Sequence, residues 1–197
     1  MTKNFLMMIA FLTFANVYSQ EEGKFRVGLD FGVAIPTAGG VGALSAIEPK
    51  YNLKDNMNIG LRMGIAGMVR DIQGSTNYES AKVSANTSYL ATYDYYFNNS
   101  GGSFVPFVGA GAGYYSFASV VIDNNSNSNG VSLDIAGKFA GMARAGFEWH
   151  KFRMGAEYNF VPESDLQNTA GEKVGTTANS YFGVSLGFFV GGGKWGQ

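Results

Sequence analysis

From Lys24 onward the chain alternates large apolar residues with small or charged ones. Phe25, Val27, Leu29, Phe31, Val33 and Ile35 share one parity, and Arg26, Gly28, Asp30, Gly32 and Ala34 share the other. Successive side chains of an extended backbone point to opposite sides, so a period of two describes a strand with two unlike faces. The split returns in Ile59, Leu61, Met63 and Ile65 against Asn58, Gly60, Arg62, Gly64 and Ala66. It returns again in Phe139, Ala143, Ala145, Phe147 and Trp149 against Met142, Arg144, Gly146 and Glu148. Eight such segments are expected, near 24–35, 47–54, 57–70, 86–97, 104–117, 138–149, 152–162 and 179–190. Most reach the roughly 9–11 residues that a strand tilted by about 45° needs to cross a bilayer, and 47–54 is the shortest.

The connections alternate as well. Those after the first, third, fifth and seventh segments are expected to be long and polar, above all the Asn/Ser-rich stretch from Asp123 to Gly130 and the stretch from Pro162 to Asn179. Those after the second, fourth and sixth are expected to be short, at Asp55–Asn56, Asn98–Gly102 and His150–Lys151. Short turns at one end and long loops at the other describe an all-β fold, an eight-stranded antiparallel up-and-down transmembrane β-barrel with both termini on the periplasmic side.

A water-soluble barrel also alternates, so the sign of the pattern has to decide the environment. In a soluble barrel the large apolar residues fill the interior, whereas in a membrane barrel they meet lipid. Here the charges share their parity with glycines, the residues a narrow lumen needs opposite a long side chain. A turn at His150–Lys151 sets Glu148 opposite Arg153 and Arg144 opposite Glu157, and on the other face Trp149 opposite Phe152 and Phe147 opposite Met154. The same logic pairs Glu48 with Arg62. A slip of one residue would turn every one of these charges outward, at about 2–4 kcal/mol for each arginine at the bilayer midplane. The expected lumen residues are Arg26, Asp30, Glu48, Lys50, Arg62, Arg70, Asp94, Arg144, Glu148, Arg153 and Glu157, filling a barrel too narrow to be a pore. Tyr51, Tyr93, Tyr95, Phe97, Phe104, Trp149, Phe152, Phe188 and Trp195 fall near the short-turn end and form the expected interfacial aromatic girdle.

Composition sharpens this picture. The chain has 28 glycines and 15% aromatic residues, and only 15% charged residues against about 25% in an average soluble domain. Its mean hydropathy of −0.02 conceals the apolar face, because alternating strands cancel in any window. Lys3 followed by the apolar run Phe5–Leu12 and relaxing into Val17–Gln20 reads as a signal peptide over 1–19, leaving a barrel domain over 20–197. There is no cysteine, hence neither a lipid-attachment site nor a disulfide framework. Without Lys3 the chain carries 13 basic and 15 acidic residues, and no basic patch that would suit nucleic acid.

Motifs that resemble chemistry have plainer readings. Gly109-Ala110-Gly111-Ala112-Gly113 has the spacing of inward-facing small residues in a strand and no helix behind it, which a phosphate loop would need. His150 is the only histidine and falls in a short turn, so no transition-metal site, cofactor or catalytic pair is expected. Three Asn-x-Ser/Thr triplets, at Asn86, Asn98 and Asn124, are read as accidental.

With its strands placed, the chain resembles the small outer-membrane β-barrels related to OmpA, OmpX and OmpW, and the barrel proteins that include the PorT-like group. The likeness is carried by Phe104-Val105-Pro106-Phe107-Val108-Gly109-Ala110-Gly111-Ala112-Gly113-Tyr114 and by Tyr181-Phe182-Gly183-Val184-Ser185-Leu186-Gly187-Phe188-Phe189. It implies an outer-membrane location, contact with outer-membrane lipid, and a last strand read by the barrel-assembly machinery. The chain departs from the family by continuing through Gly191–Gln197 past its terminal aromatics. The expectation is a monomeric, non-enzymatic surface barrel whose loops meet an unidentified extracellular or envelope partner. The likeness also admits a narrow transporter of small apolar solutes, as in OmpW, a secretion or assembly accessory, as in PorT, and a lipid A-modifying enzyme.

Overall fold

The computed structural model describes residues 21–71, 81–97, 103–121, 133–167 and 173–192. The expected signal peptide, the Asp123–Gly130 stretch and Trp195 lie outside the described residues, as do the side chains of Arg70, Lys82 and Lys173.

Eight strands close into a barrel: β1 Phe25–Pro36, β2 Val41–Lys54, β3 Met57–Asp71, β4 Ala81–Tyr96, β5 Phe104–Val121, β6 Leu133–Trp149, β7 Phe152–Phe160 and, after a small hairpin of β8 Ser164–Gln167 and β9 Lys173–Thr177, β10 Tyr181–Gly191. Each barrel strand pairs antiparallel with its chain neighbour, and β1 pairs with β10 from Arg26–Gly191 to Pro36–Tyr181 to close the cylinder. Closure leaves no sheet edge along the strands' shared height, the condition a sheet must meet in lipid.

The register at the β6–β7 turn is the one that charge pairing requires. Glu148 stands opposite Arg153, Arg144 opposite Glu157, Trp149 opposite Phe152 and Phe147 opposite Met154. Ile47–Met63 and Lys50–Gly60 bracket Glu48 and Arg62, whose charged atoms lie 3.7 Å apart. The sign of the alternation is equally plain. Phe31 is 58% exposed, and Arg62, at 3%, is flanked in the chain by Leu61 at 63% and Met63 at 41%.

Four expectations about the elements are corrected. β2 starts at Val41 and not near 47, so the first connection is only 37–40, turned by Gly39 and Gly40, both at φ +92°. Small residues fill its first half (Gly42, Ala43, Ser45, Ala46), and these gave no apolar periodicity to read. β4, β5 and β6 extend five, four and five residues further toward the loop end than the sequence suggested, to Ala81, Val121 and Leu133. The long connection before β10 contains the β8–β9 hairpin, which was not expected. β7 stops at Phe160, two residues short of the expected end and just ahead of Pro162, which has no N–H to continue a ladder.

At the turn end the chain termini of the barrel are laced together. The Asn52 side-chain amide donates to the carbonyls of Glu21 (2.9 Å) and Gly192 (3.1 Å), and the Gly23 amide donates to the Asn52 carbonyl (2.9 Å). Lys151 in the β6–β7 turn donates to the Gly191 carbonyl (2.8 Å) over the Phe189 ring. Burial lowers the Lys151 ammonium below the ordinary lysine range, and Arg26 nearby adds to the effect.

Candidate functional site: a charged layer in the lumen

The interior is stratified. At the turn end Tyr96, Val105 and Phe107 form a small apolar cluster. At the loop end a larger one packs Ala34, Leu44, Ala66, Met68, Leu90, Tyr115, Phe117, Ala140, Met142, Val161 and Tyr181 across the bore. Below the loop-end cluster and interleaved with the turn-end one lie five cations, Arg26, Lys50, Arg62, Arg144 and Arg153, and five carboxylates, Asp30, Glu48, Asp94, Glu148 and Glu157, all buried.

Ten of the eleven expected lumen residues, Lys50 included, are buried in this layer, and the side chain of the eleventh, Arg70, lies outside the described residues. Arg144 is its hub, donating to both Glu48 oxygens (2.9 and 2.7 Å) and both Asp94 oxygens (2.7 and 2.9 Å). Lys50 donates to Asp94 at 2.5 Å, and Arg62 bridges Asp30 (2.6 Å) and Glu157 (2.7 Å). Arg26 donates to Glu148 (2.8 Å) and to the Tyr96 hydroxyl, which in turn donates to Glu148 (2.9 Å). Arg153 stands apart. It lies 3.5 Å from Asp94 and 3.7 Å from Glu48, with its guanidinium 4.2 Å above the Phe107 ring. Charges removed from water this completely require paired partners and satisfied lone pairs, and equal numbers of each sign meet that need.

Glycines make the layer possible. Gly109 on β5 has Asp94 of β4 on one side and Arg144 of β6 on the other. Those two charges sit on strands that are not neighbours, and they touch only because no side chain rises between them: a Cβ at Gly109 would strike the Asp94 carboxylate. Gly187 on β10 plays the same part between Asp30 and Arg153, and its Cβ would strike Asp30.

Sequence reasoning missed three features. Tyr96 has inward parity, yet its place in the run Tyr93–Phe97 hid it among girdle aromatics. The apolar loop-end cluster is also absent from the expected pattern, because apolar residues such as Leu90 and Met142 share the inner parity with the charges. Of the proposed girdle, Tyr51, Phe97, Phe104, Trp149, Phe152 and Phe188 point outward and are exposed, and Tyr95 is half-buried. Phe104, Trp149, Phe152 and Phe188 follow one another in register around the barrel. A second outward row went unremarked at the loop end: Tyr89, Tyr114 and Phe139 in direct register, then Phe160 and Phe182.

His150 sits in the two-residue turn with its ring edge-on to Trp149 at 5.6 Å, and its backbone amide donates to the Ser103 carbonyl (3.1 Å). The two cavities found in the charged layer are each about the size of one water and share Asp30 and Arg153 in their walls.

No protein-family model matches the chain, and no curated protein matches its sequence. Solved structures do. The outer membrane protein OprG from Pseudomonas aeruginosa superposes with a TM-score of 0.63 at 13% identity, over 87% of this chain and 98% of that one. Neisserial surface protein A (NspA) superposes with a TM-score of 0.51 at 13% identity, over 86% and 97%. Likeness at such low identity is likeness of fold, and the fold is the closed eight-stranded barrel of small bacterial outer-membrane proteins.

Proposed function

We propose that this chain, after removal of residues 1–19 as a signal peptide, is a monomeric, non-enzymatic barrel of the bacterial outer membrane whose lumen is plugged and whose long connections face the outside. One observation carries the reading: among the described residues a belt of bulky apolar side chains, Phe31, Leu61, Ile65, Phe139, Trp149 and Leu186 among them, faces outward around the barrel, while ten charged side chains are buried in its bore. In water that arrangement would expose an apolar belt far larger than the few hundred Å² a soluble monomer tolerates. In a bilayer it is the arrangement of lowest cost.

The two aromatic rows support the same reading. On β5 they are marked by Phe104 and Tyr114, a separation that at about 3.3 Å per residue and a tilt of about 40° spans roughly 25 Å along the membrane normal, the height of the apolar band of such barrels. Phe188 and Phe189 near the end of β10, or Trp195 in the tail beyond it, are the aromatics the barrel-assembly machinery would read. Solute passage finds no support in a lumen crossed by a continuous charged layer and capped by an apolar one.

Two measurements test this. The detergent-extracted protein is expected to migrate differently on gels before and after boiling, as folded barrels do. On intact cells, trypsin is expected to cut at Arg70, Lys82 or Lys173 and to spare Lys151. Cutting at Lys151 alone would reverse the orientation, and absence of heat-modifiable mobility would remove the membrane barrel altogether.

A further inference from the structure

β6 rises well above its neighbour β7. Their last pair is Gly141 with Phe160, yet β6 continues to Leu133, held there by β5 alone among the described residues. An exposed strand edge is a template for another strand, and proteins seldom leave one uncovered.

The cause of the break is legible in the hydrogen bonds. The Val161 amide donates to Ser180 Oγ (3.1 Å), and that hydroxyl donates back to the Val161 carbonyl (3.0 Å), so residue 161 faces β10. Backbone polar groups of successive residues alternate sides, which turns residues 160 and 162 toward β6. Residue 162 is proline and has no N–H to give. The chain then bends off the sheet. The Pro162 carbonyl accepts from the Asn179 amide (2.8 Å), and the Glu163 carbonyl accepts from the Lys138 ammonium of β6 (2.5 Å).

β8 starts directly after this bend and pairs with β9 in a separate two-stranded sheet. The hairpin is the tip of the β7–β10 pair with its register slipped by one: Asn159 pairs with Tyr181, and Ser164 with Thr177. An isolated two-stranded hairpin is marginal in water. Carried past Pro162, the β6–β7 register would set Lys138 opposite Glu163 and Ala136 opposite Asp165, and Lys138 already holds Glu163.

We propose that the free edge of β6, Leu133 to Ala140, is a strand-docking edge whose occupant is the chain's own β8, delivered by bending at Val161–Glu163. Continuity with the existing β6–β7 ladder selects β8, because it follows that ladder by three residues and arrives antiparallel to β6. Tethering also gives it a high effective concentration against any strand supplied in trans. Docked, the hairpin completes the wall at the loop end. Undocked, it leaves a lateral slot above Phe160.

A chain without cysteine allows a clean test. Ala136→Cys with Asp165→Cys places two thiols at a non-hydrogen-bonded pair, where Cα atoms approach to about 4.5 Å and a disulfide fits. With the protein in liposomes under mild oxidant, an intramolecular disulfide is expected roughly tenfold or more faster than for Ile135→Cys with Asp165→Cys, whose positions lie on opposite faces. Pro162→Thr, folded by gel mobility, is expected to speed that disulfide and to slow amide exchange in Leu133–Ala140. Rates equal to the control pair would overturn the proposal, as would edge amides that exchange equally fast in both proteins. Disulfides linking two chains would overturn it in favour of a second copy on the edge.

Discussion

A glycine and an arginine together decide whether the lumen closes. Arg144 holds Glu48 and Asp94 from across Gly109, so Arg144→Met leaves two buried carboxylates without their principal cation. Breaking a buried pair by removing one partner costs about 3–5 kcal/mol, and urea unfolding in detergent micelles is expected to show a loss of that size. Gly109→Leu is expected to cost about as much by a different route, wedging Asp94 away from Arg144. Asn86 predicts the opposite sign. It is buried between Ala66 and Phe117 at the apolar end, and neither of its amide atoms has a protein partner. Asn86→Leu is expected to raise stability by about 1–2 kcal/mol in the same assay. Parity alone disclosed Arg144, Glu48 and Asp94, because a charge is conspicuous in an alternating strand. It did not disclose that Leu90 and Met142 share their face, since an apolar residue at inner parity looks like noise until its neighbours across the bore are known.

The elements were legible in proportion to the contrast between their faces. β3, β6 and β7 alternate bulky with charged or glycine residues and were found with their register. The first half of β2 sets Leu44 among Gly42, Ala43, Ser45 and Ala46, and β8 and β9 are short with one bulky apolar residue each, Leu166 and Val174, so neither left a trace in the pattern. The β6–β7 turn shows local cost outweighed by register. His150 holds φ +56°, a region costly for residues with a side chain, so that the Trp149–Phe152 and Glu148–Arg153 pairs can form on either face. His150→Gly is expected to stabilise the barrel by about 0.5–1 kcal/mol, readable as a later urea midpoint, and to leave lipid A unaltered. A change in lipid A on this substitution would restore a catalytic role to the histidine. Pro162 has the converse role, ending a ladder that the flanking strands would otherwise continue.

For the whole molecule, stratification of the bore matters more than its width. A charged layer hydrates readily if water can reach it, but here the apolar loop-end cluster stands between it and the outside. Bilayers reconstituted with the purified protein are therefore expected to show no conductance above that of lipid alone, and steady ohmic channels would refute the plugged lumen. The exact balance of charge in that layer reaches beyond the barrel. Five cations and five carboxylates cancel, so the field felt in solution at the loop end is set by the residues outside the layer. Along the strand ends and connections on that side, the sequence carries Arg70, Lys82, Lys138 and Lys173 against Asp71, Asp134, Glu163 and Asp165, and the connecting stretches outside the described residues add Glu79, Asp123 and Glu172. With the loop end facing outward, as proposed above, that excess of negative charge is expected to draw cationic proteins toward it at rates that fall as ionic strength rises.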